Sequence, residues 1–279
     1  MKIALIQMNS QPDRDQNLRD AEALMEQAVA RDRPDLIVLP EHFDWTGGTP
    51  CQKRLAADQV PGGAAYRMVQ AFAARHRVWV HAGSLLEHCA GSDRIYNTTV
   101  VFNSNGDQVG IYRKIHLFDI TAPDGKVYAE SATVAPGEQL LIYEFMGFRI
   151  ACVICYDLRF SALFARLAAD AVDLFILPAA FTEQTGKHHW DVLCRARAIE
   201  FQAYLVACGQ CGFYPAPNGE IRRAFGHSLV ADPWGEIIAQ AGDDVAVVAA
   251  SVDKARLQQV RQWIPMHEHR RDLRFVCLS

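Results

Sequence analysis

Short runs rich in valine, isoleucine and leucine alternate along the chain with longer segments whose apolar residues return every third or fourth position. The runs Ile3 to Met8, Leu36 to Leu39, Val78 to Ala82, Thr98 to Phe102, Ile150 to Ile154, Leu174 to Leu177, Tyr204 to Ala207 and Val245 to Ala249 predict strands. Most are apolar without interruption, as strands covered on both faces should be. Residues 17–30, 64–75, 161–169, 189–202 and 254–263 carry the helical period. Alternation of the two element types predicts an α/β architecture with helices over the sheet faces. Turn pairs such as Asn105-Gly106, Asp124-Gly125 and Asn218-Gly219 are short punctuation rather than linkers. Without a composition shift or an internal repeat, one domain over residues 1–279 is expected.

Half of the 279 residues are hydrophobic and 22% are charged, enough to build a core without covalent staples. The formal net charge of -4 supplies no basic surplus for a phosphate backbone, so nucleic acid is excluded as an expected partner. The opening MKIALIQM is broken by Asn9, Gln11 and Asp13, and no apolar run approaches a bilayer span. A cytoplasmic location is the expectation. Eight cysteines, at 51, 89, 152, 155, 194, 208, 211 and 277, are expected as free thiols. Cys208 and Cys211 have C-x-x-C spacing, but no second metal-binding pair follows, and packing is the reading for both.

Three reactive side chains share one kind of placement. VLPE leaves Glu41 just beyond a buried strand, YRKIH leaves Lys114 after a strand-like segment, and IACVICYD puts Cys155 at the end of another. Sites in α/β sheets form in the loops beyond the carboxyl ends of strands, where residues distant in sequence converge. Cys155 leads through YDLRF toward a predicted helix, whose exposed amides favour a thiolate and a developing oxyanion. Taken singly, Cys155 also reads as a buried strand-end cysteine, and Glu41 and Lys114 as solvated loop charges or an ion pair. Taken together, a thiol nucleophile, a carboxylate proton shuttle and an oxyanion-stabilising cation make a hydrolase.

LPE at 39–41, YRKIHLFD at 112–119 and CYDLRF at 155–160 resemble the three signature regions of the nitrilase superfamily of carbon–nitrogen hydrolases. The likeness continues in PAAFTEQTGKHHWDVLCRARAIE at 178–200, GQCG at 209–212, FGHSLVADPWG at 225–235 and IPMHEHRRDL at 264–273. The resemblance implies a four-layer αββα sandwich and a homodimer in which the C-terminal tail, about 264–279, takes part. It implies Glu41 as general base, Lys114 as oxyanion-stabilising cation and Cys155 as the acylated residue. Glu130 in KVYAES would be the supporting glutamate, and the backbone amide of Tyr156 would join Lys114 at the oxyanion. Neither metal nor organic cofactor is implied, and His116, His188, His189 and His227 have no assigned task.

CYD after the nucleophile favours an amidase over a nitrilase and resembles the Nit subgroup, which acts on small amides bearing a carboxylate or 2-oxo acid. RARAIE, GQCG and GHSLVADPWG resemble deaminated-glutathione amidases more than ω-amidases acting on 2-oxoglutaramate or 2-oxosuccinamate. The implied reaction turns a linear amide into a carboxylic acid and ammonia. Nitrile hydrolysis, N-carbamoyl amide hydrolysis and a catalytically silent scaffold are the alternatives. Arg159 either orients the site and receives an acidic substrate or pairs with Asp157. Two departures stand out: Ser161-Ala162 where the family continues with Pro-Glu, and TGKHHW at 185–190 where TGPAHW is common. The second adds Lys187, whose charge would favour a carboxylate-bearing substrate.

Overall fold

The computed structural model describes residues 1–269 and 271. Strand β1 (Lys2–Gln7) leads to helix α1 (Arg14–Asp32), β2 (Leu36–Val38), α2 (Pro50–Ala56), α3 (Ala64–His76) and β3 (Trp79–His81). Strands β4 (Leu85–His88), β5 (Ile95–Phe102) and β6 (Gln108–Arg113) follow, then a hairpin of β7 (Asp119–Thr121) and β8 (Val127–Ala129). The second half contributes β9 (Ile142–Phe145), β10 (Phe148–Cys152), α4 (Ser161–Ala168), β11 (Leu174–Ala179), α5 (Glu183–Phe201) and β12 (Tyr204–Gly209). A second hairpin, β13 (Cys211–Pro215) and β14 (Ile221–Phe225), precedes β15 (Leu229–Ala231), β16 (Ile237–Gln240), β17 (Ala246–Ser251), α6 (Lys254–Trp263) and α7 (Met266–His269).

One sheet runs β17-β1-β2-β3-β5-β4, with β6 also on β5; the other runs β16-β15-β12-β11-β10-β9. Each has three parallel strands at its centre, β1-β2-β3 and β10-β11-β12, flanked by antiparallel strands. The buried strands divide their side chains by strict alternation. Ile3, Leu5, Leu36 and Val38 join the core shared with the second sheet, while Ala4, Ile6, Ile37 and Leu39 join Met25 of α1 and Val69 and Phe72 of α3. Helices α4 and α5 cover the second sheet through Leu163, Phe164 and Trp190. The result is the expected four-layer αββα sandwich. The Cys208 thiol donates across the inter-sheet space to the carbonyls of Ile6 and Val38, at 3.2 and 3.3 Å, so this cysteine packs as expected. All seven cysteines among the described residues are free.

Local signals set the helix ends. The Asp13 carboxylate accepts the Gln16 N–H to open α1, and the Thr182 hydroxyl accepts the Thr185 N–H to open α5, six residues before the predicted start. Ser161 begins α4 without the proline of related sequences. Among the described residues, no helix is long and apolar enough to cross a membrane. The tail expected at a dimer interface falls largely outside the described residues, at 270 and 272–279.

Candidate active site

Loops beyond the carboxyl ends of five strands meet at a cavity of about 490 Å³ whose lining includes Glu41, Lys114, Glu130, Cys155, Tyr156 and Arg159. Glu41 follows β2, Lys114 directly follows β6, Cys155 follows β10, Ala180 follows β11 and Gln210 follows β12. A tight turn at Gly83 and Ser84 holds the Glu41 loop. Gly83 has φ +41°, and a Cβ there would lie 2.0 Å from the Pro40 carbonyl oxygen, so only glycine fits. Ser84 donates its N–H to Pro40 O at 3.1 Å and accepts the His42 N–H on its hydroxyl at 3.0 Å. From the second sheet, the Gln210 side-chain amide donates to Glu41 O at 3.0 Å.

Cys155 sits at φ +46°, a left-handed conformation that a non-glycine residue adopts at a cost and that functional sites commonly retain. It opens a 3-10 turn, Cys155–Arg159, which leads into the predicted helix at Ser161. Buried Asp157 is the anchor of that turn. Its carboxylate accepts the N–H groups of Ile154 and His116, at 2.9 and 3.0 Å, and the Tyr112 hydroxyl at 2.7 Å; it also meets His116 Nδ1 at 2.7 Å. The loop carrying Lys114 and the turn carrying Cys155 are thereby tied to one side chain. Asp157→Asn replaces an acceptor-only group with one that must turn a donor toward these N–H groups. A fall in kcat of about 10- to 100-fold with KM changed less than threefold is expected, the size seen when outer partners of site groups are lost. Steady-state kinetics would check this split.

Three of the charges in the cavity bind one another. Lys114 Nζ donates to Glu41 Oε1 at 2.9 Å and to Glu130 Oε2 and Oε1 at 2.8 and 3.1 Å. Asn97 donates to Glu41 Oε1 at 2.8 Å, and Glu130 Oε2 accepts the Phe118 N–H at 2.7 Å. Burial alone would raise the Glu41 pKa, but the Lys114 ammonium and its hydrogen bond lower it to about 2. Burial opposes the charge on Lys114, yet Glu130 and Glu41 hold its pKa well above the ordinary lysine value. Burial and the Glu41 carboxylate push the Cys155 thiol well above its ordinary value, against Lys114. These shifts favour a neutral thiol beside an ionised carboxylate and an ammonium, an arrangement in which the carboxylate can take the thiol proton.

Glu41, His42 and Glu130 also present three ligand atoms within 4.8 Å of one another. The Lys114 ammonium already supplies the cation between the two carboxylates, and His42 is held neutral by burial, its pKa lowered to about 4.

The family model for carbon-nitrogen hydrolases matches residues 2–262. The chain belongs to the carbon-nitrogen hydrolase family. As a carbon-nitrogen hydrolase it is 38% identical over 270 residues to the deaminated glutathione amidase of Synechocystis, covering 96% of this chain and 97% of that one. It is 33% identical over 277 residues to the ω-amidase NIT3 of Saccharomyces cerevisiae, covering 97% and 93%. The crystal structure of S. cerevisiae Nit3, a member of branch 10 of the nitrilase superfamily, superposes with a TM-score of 0.84 at 30% identity, covering 95% of this chain and 94% of that one. The hydrolase therefore lies in the Nit subgroup.

Two side chains stand elsewhere than their motifs suggested. Lys187 is exposed on α5, pairs with Glu183 at 3.0 Å and does not line the cavity, because one helical turn places it beside that carboxylate. Arg159 does not pair with Asp157, whose oxygens are taken by Tyr112, His116 and Ile154. Its guanidinium instead lies over Phe181 and Tyr156, 5.4 and 5.9 Å from the ring centroids, with no carboxylate partner among the described residues. Asn97, His42 and Gln210 are not singled out by the sequence, and Asp157 only as a partner for Arg159. Asn97 had a signal, since a lone amide inside the buried strand IYNTTVVF needs a polar partner.

Proposed function

We propose that this hydrolase cleaves a linear, carboxylate-bearing amide through an acyl-enzyme on Cys155, and that deaminated glutathione is its substrate. The observation that carries the reading is the buried Cys155 thiol in one cavity with Glu41 and Lys114, whose carboxylate and ammonium meet at 2.9 Å, where Arg159 has no carboxylate partner among the described residues. Glu41 takes the thiol proton as sulfur attacks the amide carbon. Lys114 and the Tyr156 amide stabilise the oxyanion, and Glu41 returns the proton to the departing amine. Water then enters, gives a proton to Glu41 and attacks the thioester; collapse releases the acid and returns the proton to sulfur. Glu130 keeps Lys114 charged and aimed. We further take residues 1–279 as one catalytic domain acting as a cytoplasmic homodimer.

The bond broken decides the assay. In deaminated glutathione the scissile nitrogen belongs to cysteinylglycine, so the products are 2-oxoglutarate and that dipeptide. Ammonia, the product expected from the sequence, appears only from a primary amide such as 2-oxoglutaramate. Parallel kcat/KM values for 2-oxoglutarate formation from both compounds test the reading. Preference for deaminated glutathione supports it, preference for 2-oxoglutaramate makes the protein an ω-amidase, and Cys155-dependent turnover of neither removes the substrate assignment.

Arg159→Met is expected to raise KM for 2-oxo acid amides roughly 10- to 100-fold, the worth of a charged hydrogen-bond partner. Lys187→Ala, outside the cavity, should change it less than twofold. Equal effects of the two substitutions would show that Arg159 does not receive the substrate carboxylate.

A further inference from the structure

The charged residues lining the cavity are two carboxylates, Glu41 and Glu130, against four cations, Lys53, Lys114, Arg159 and Arg222. Two positive charges are in surplus, in a chain whose own net charge is -4. Lys114 is matched to the two glutamates. The surplus lies with the other three cations.

Lys53 stands on α2, a short helix fixed by reciprocal bonds between Thr49 and Gln52. It is partly buried and makes no ion pair or hydrogen bond through its ammonium among the described residues. Arg222 comes from β14 and stacks on Tyr128 of β8, its guanidinium carbon 4.3 Å from the ring centroid. Its nearest carboxylate is Glu220 at 3.9 Å, and its buried Nε has no partner. A cation with no partner, as at Lys53, or with one exposed carboxylate at 3.9 Å and a bare Nε, as at Arg222, is disfavoured in a cavity unless an anion arrives to meet it.

We propose that Lys53 and Arg222 form a second anion subsite, which receives a carboxylate on the leaving group and makes the cavity selective for doubly anionic amides. The inference rests on the reading above, in which Arg159 holds the carboxylate of the acyl part. Placement on the leaving-group side follows from Glu41, which must protonate the departing nitrogen. Lys53 and Arg222 line the same cavity as Glu41, and Glu130 and Glu41 support the Lys53 charge against burial, which lowers its pKa. A dipeptide leaving group reaches at most about 7 Å from its nitrogen to its carboxylate, within one cavity.

The test compares deaminated glutathione with the same compound carrying a C-terminal carboxamide, for the wild type, Lys53→Gln, Arg222→Gln and Lys53→Arg. The expected wild-type preference for the carboxylate is at least about tenfold in kcat/KM, expressed in KM. That ratio should collapse toward one in both glutamine variants and persist in Lys53→Arg. Turnover of 2-oxoglutaramate, which lacks the second carboxylate, reports that each variant has a folded site. A wild type indifferent to the carboxamide, or glutamine variants that keep the full preference, would overturn the subsite while leaving the amidase reading intact. A wild type that does not turn over deaminated glutathione at all would overturn both.

Discussion

Replacing Cys155 by alanine is expected to lower kcat/KM by ~10,000-fold or more, the loss typical when a covalent nucleophile is removed from a site whose other groups act through it. Substrate binding is expected to persist, because Arg159, Lys114 and the ring of Phe181, which also line the cavity, are untouched. Cys152 does not substitute: it lies in β10 outside the cavity lining, its pKa is driven up by burial, and its Sγ faces His81 Nδ1 at 4.0 Å rather than the substrate space. Rapid quenching of the wild type during turnover, followed by mass spectrometry, should show the acyl group on the peptide containing Cys155 and none in the alanine variant. Labelling by alkylating reagents would not serve, since Cys51 is exposed and reacts regardless. Acyl mass on any other residue would sink the assignment.

Lys114→Met should have the next largest effect, and it separates charge from shape. The methionine fills a similar volume but leaves Glu41 and Glu130 as close carboxylates with only Asn97 to donate to both. Like charges cannot both stay ionised at that spacing, so one takes a proton and the base is lost at the pH where it was available. A fall in kcat/KM of about 1,000-fold is expected from the missing oxyanion cation. In the wild type the Glu41 pKa of about 2 lies below its ordinary 4.5, so its contribution to stability is complete above that value and is lost as pH falls toward 2. Without Lys114 the folded-state pKa rises, and the acid limb of the pH–rate profile should move upward. Urea denaturation at neutral pH should show a loss of roughly 3–5 kcal/mol, the cost of leaving a buried charge unpaired. Adding Glu130→Gln should restore part of that stability but not the rate. An acid limb that stays in place would mean that Glu41 is kept ionised by something other than Lys114.

Both effects concern residues that could be found by reading along the chain. Glu41, Lys114 and Cys155 each end a segment whose apolar run marks it as a strand, and loops at strand ends are where such a fold gathers its chemistry. What the runs cannot display is sidedness: Ile3, Ala4, Leu5 and Ile6 look alike, yet alternate residues serve two different cores. For the same reason the parallel centres of the sheets and the likeness between their strand orders emerge only in three dimensions. Hairpins β7–β8 and β13–β14 were missed because they lie outside both sheets and keep polar or exposed faces, as at Asp119, Thr121, Phe213 and Ile221. Lys53 and Arg222 sit in stretches, CQKR and IRRAF, that read as ordinary surface. That Lys53 lacks a partner among the described residues and Arg222 has only the long pair with Glu220 depends on which neighbours the fold withholds from them. Lys187 erred in the opposite sense, a conspicuous charge in a conspicuous motif that one helical turn hands to Glu183.

The pairing of β17 with β1 runs along six residue pairs, from Lys2 with Ser251 to Gln7 with Ala246. Strand β1 is therefore completed on this side by a strand that follows the whole second sheet in the chain. Until residues near 250 leave the ribosome, β1 presents a bare edge of unpaired amides and carbonyls, the kind of template on which another chain can add a strand. Strand β1 must wait for β17, with the whole second sheet made in the interval, and a chain stopped short of β17 is left with an adhesive flank. Aggregation of such truncated products, rather than slow chemistry in the finished cavity, is where this architecture is most vulnerable.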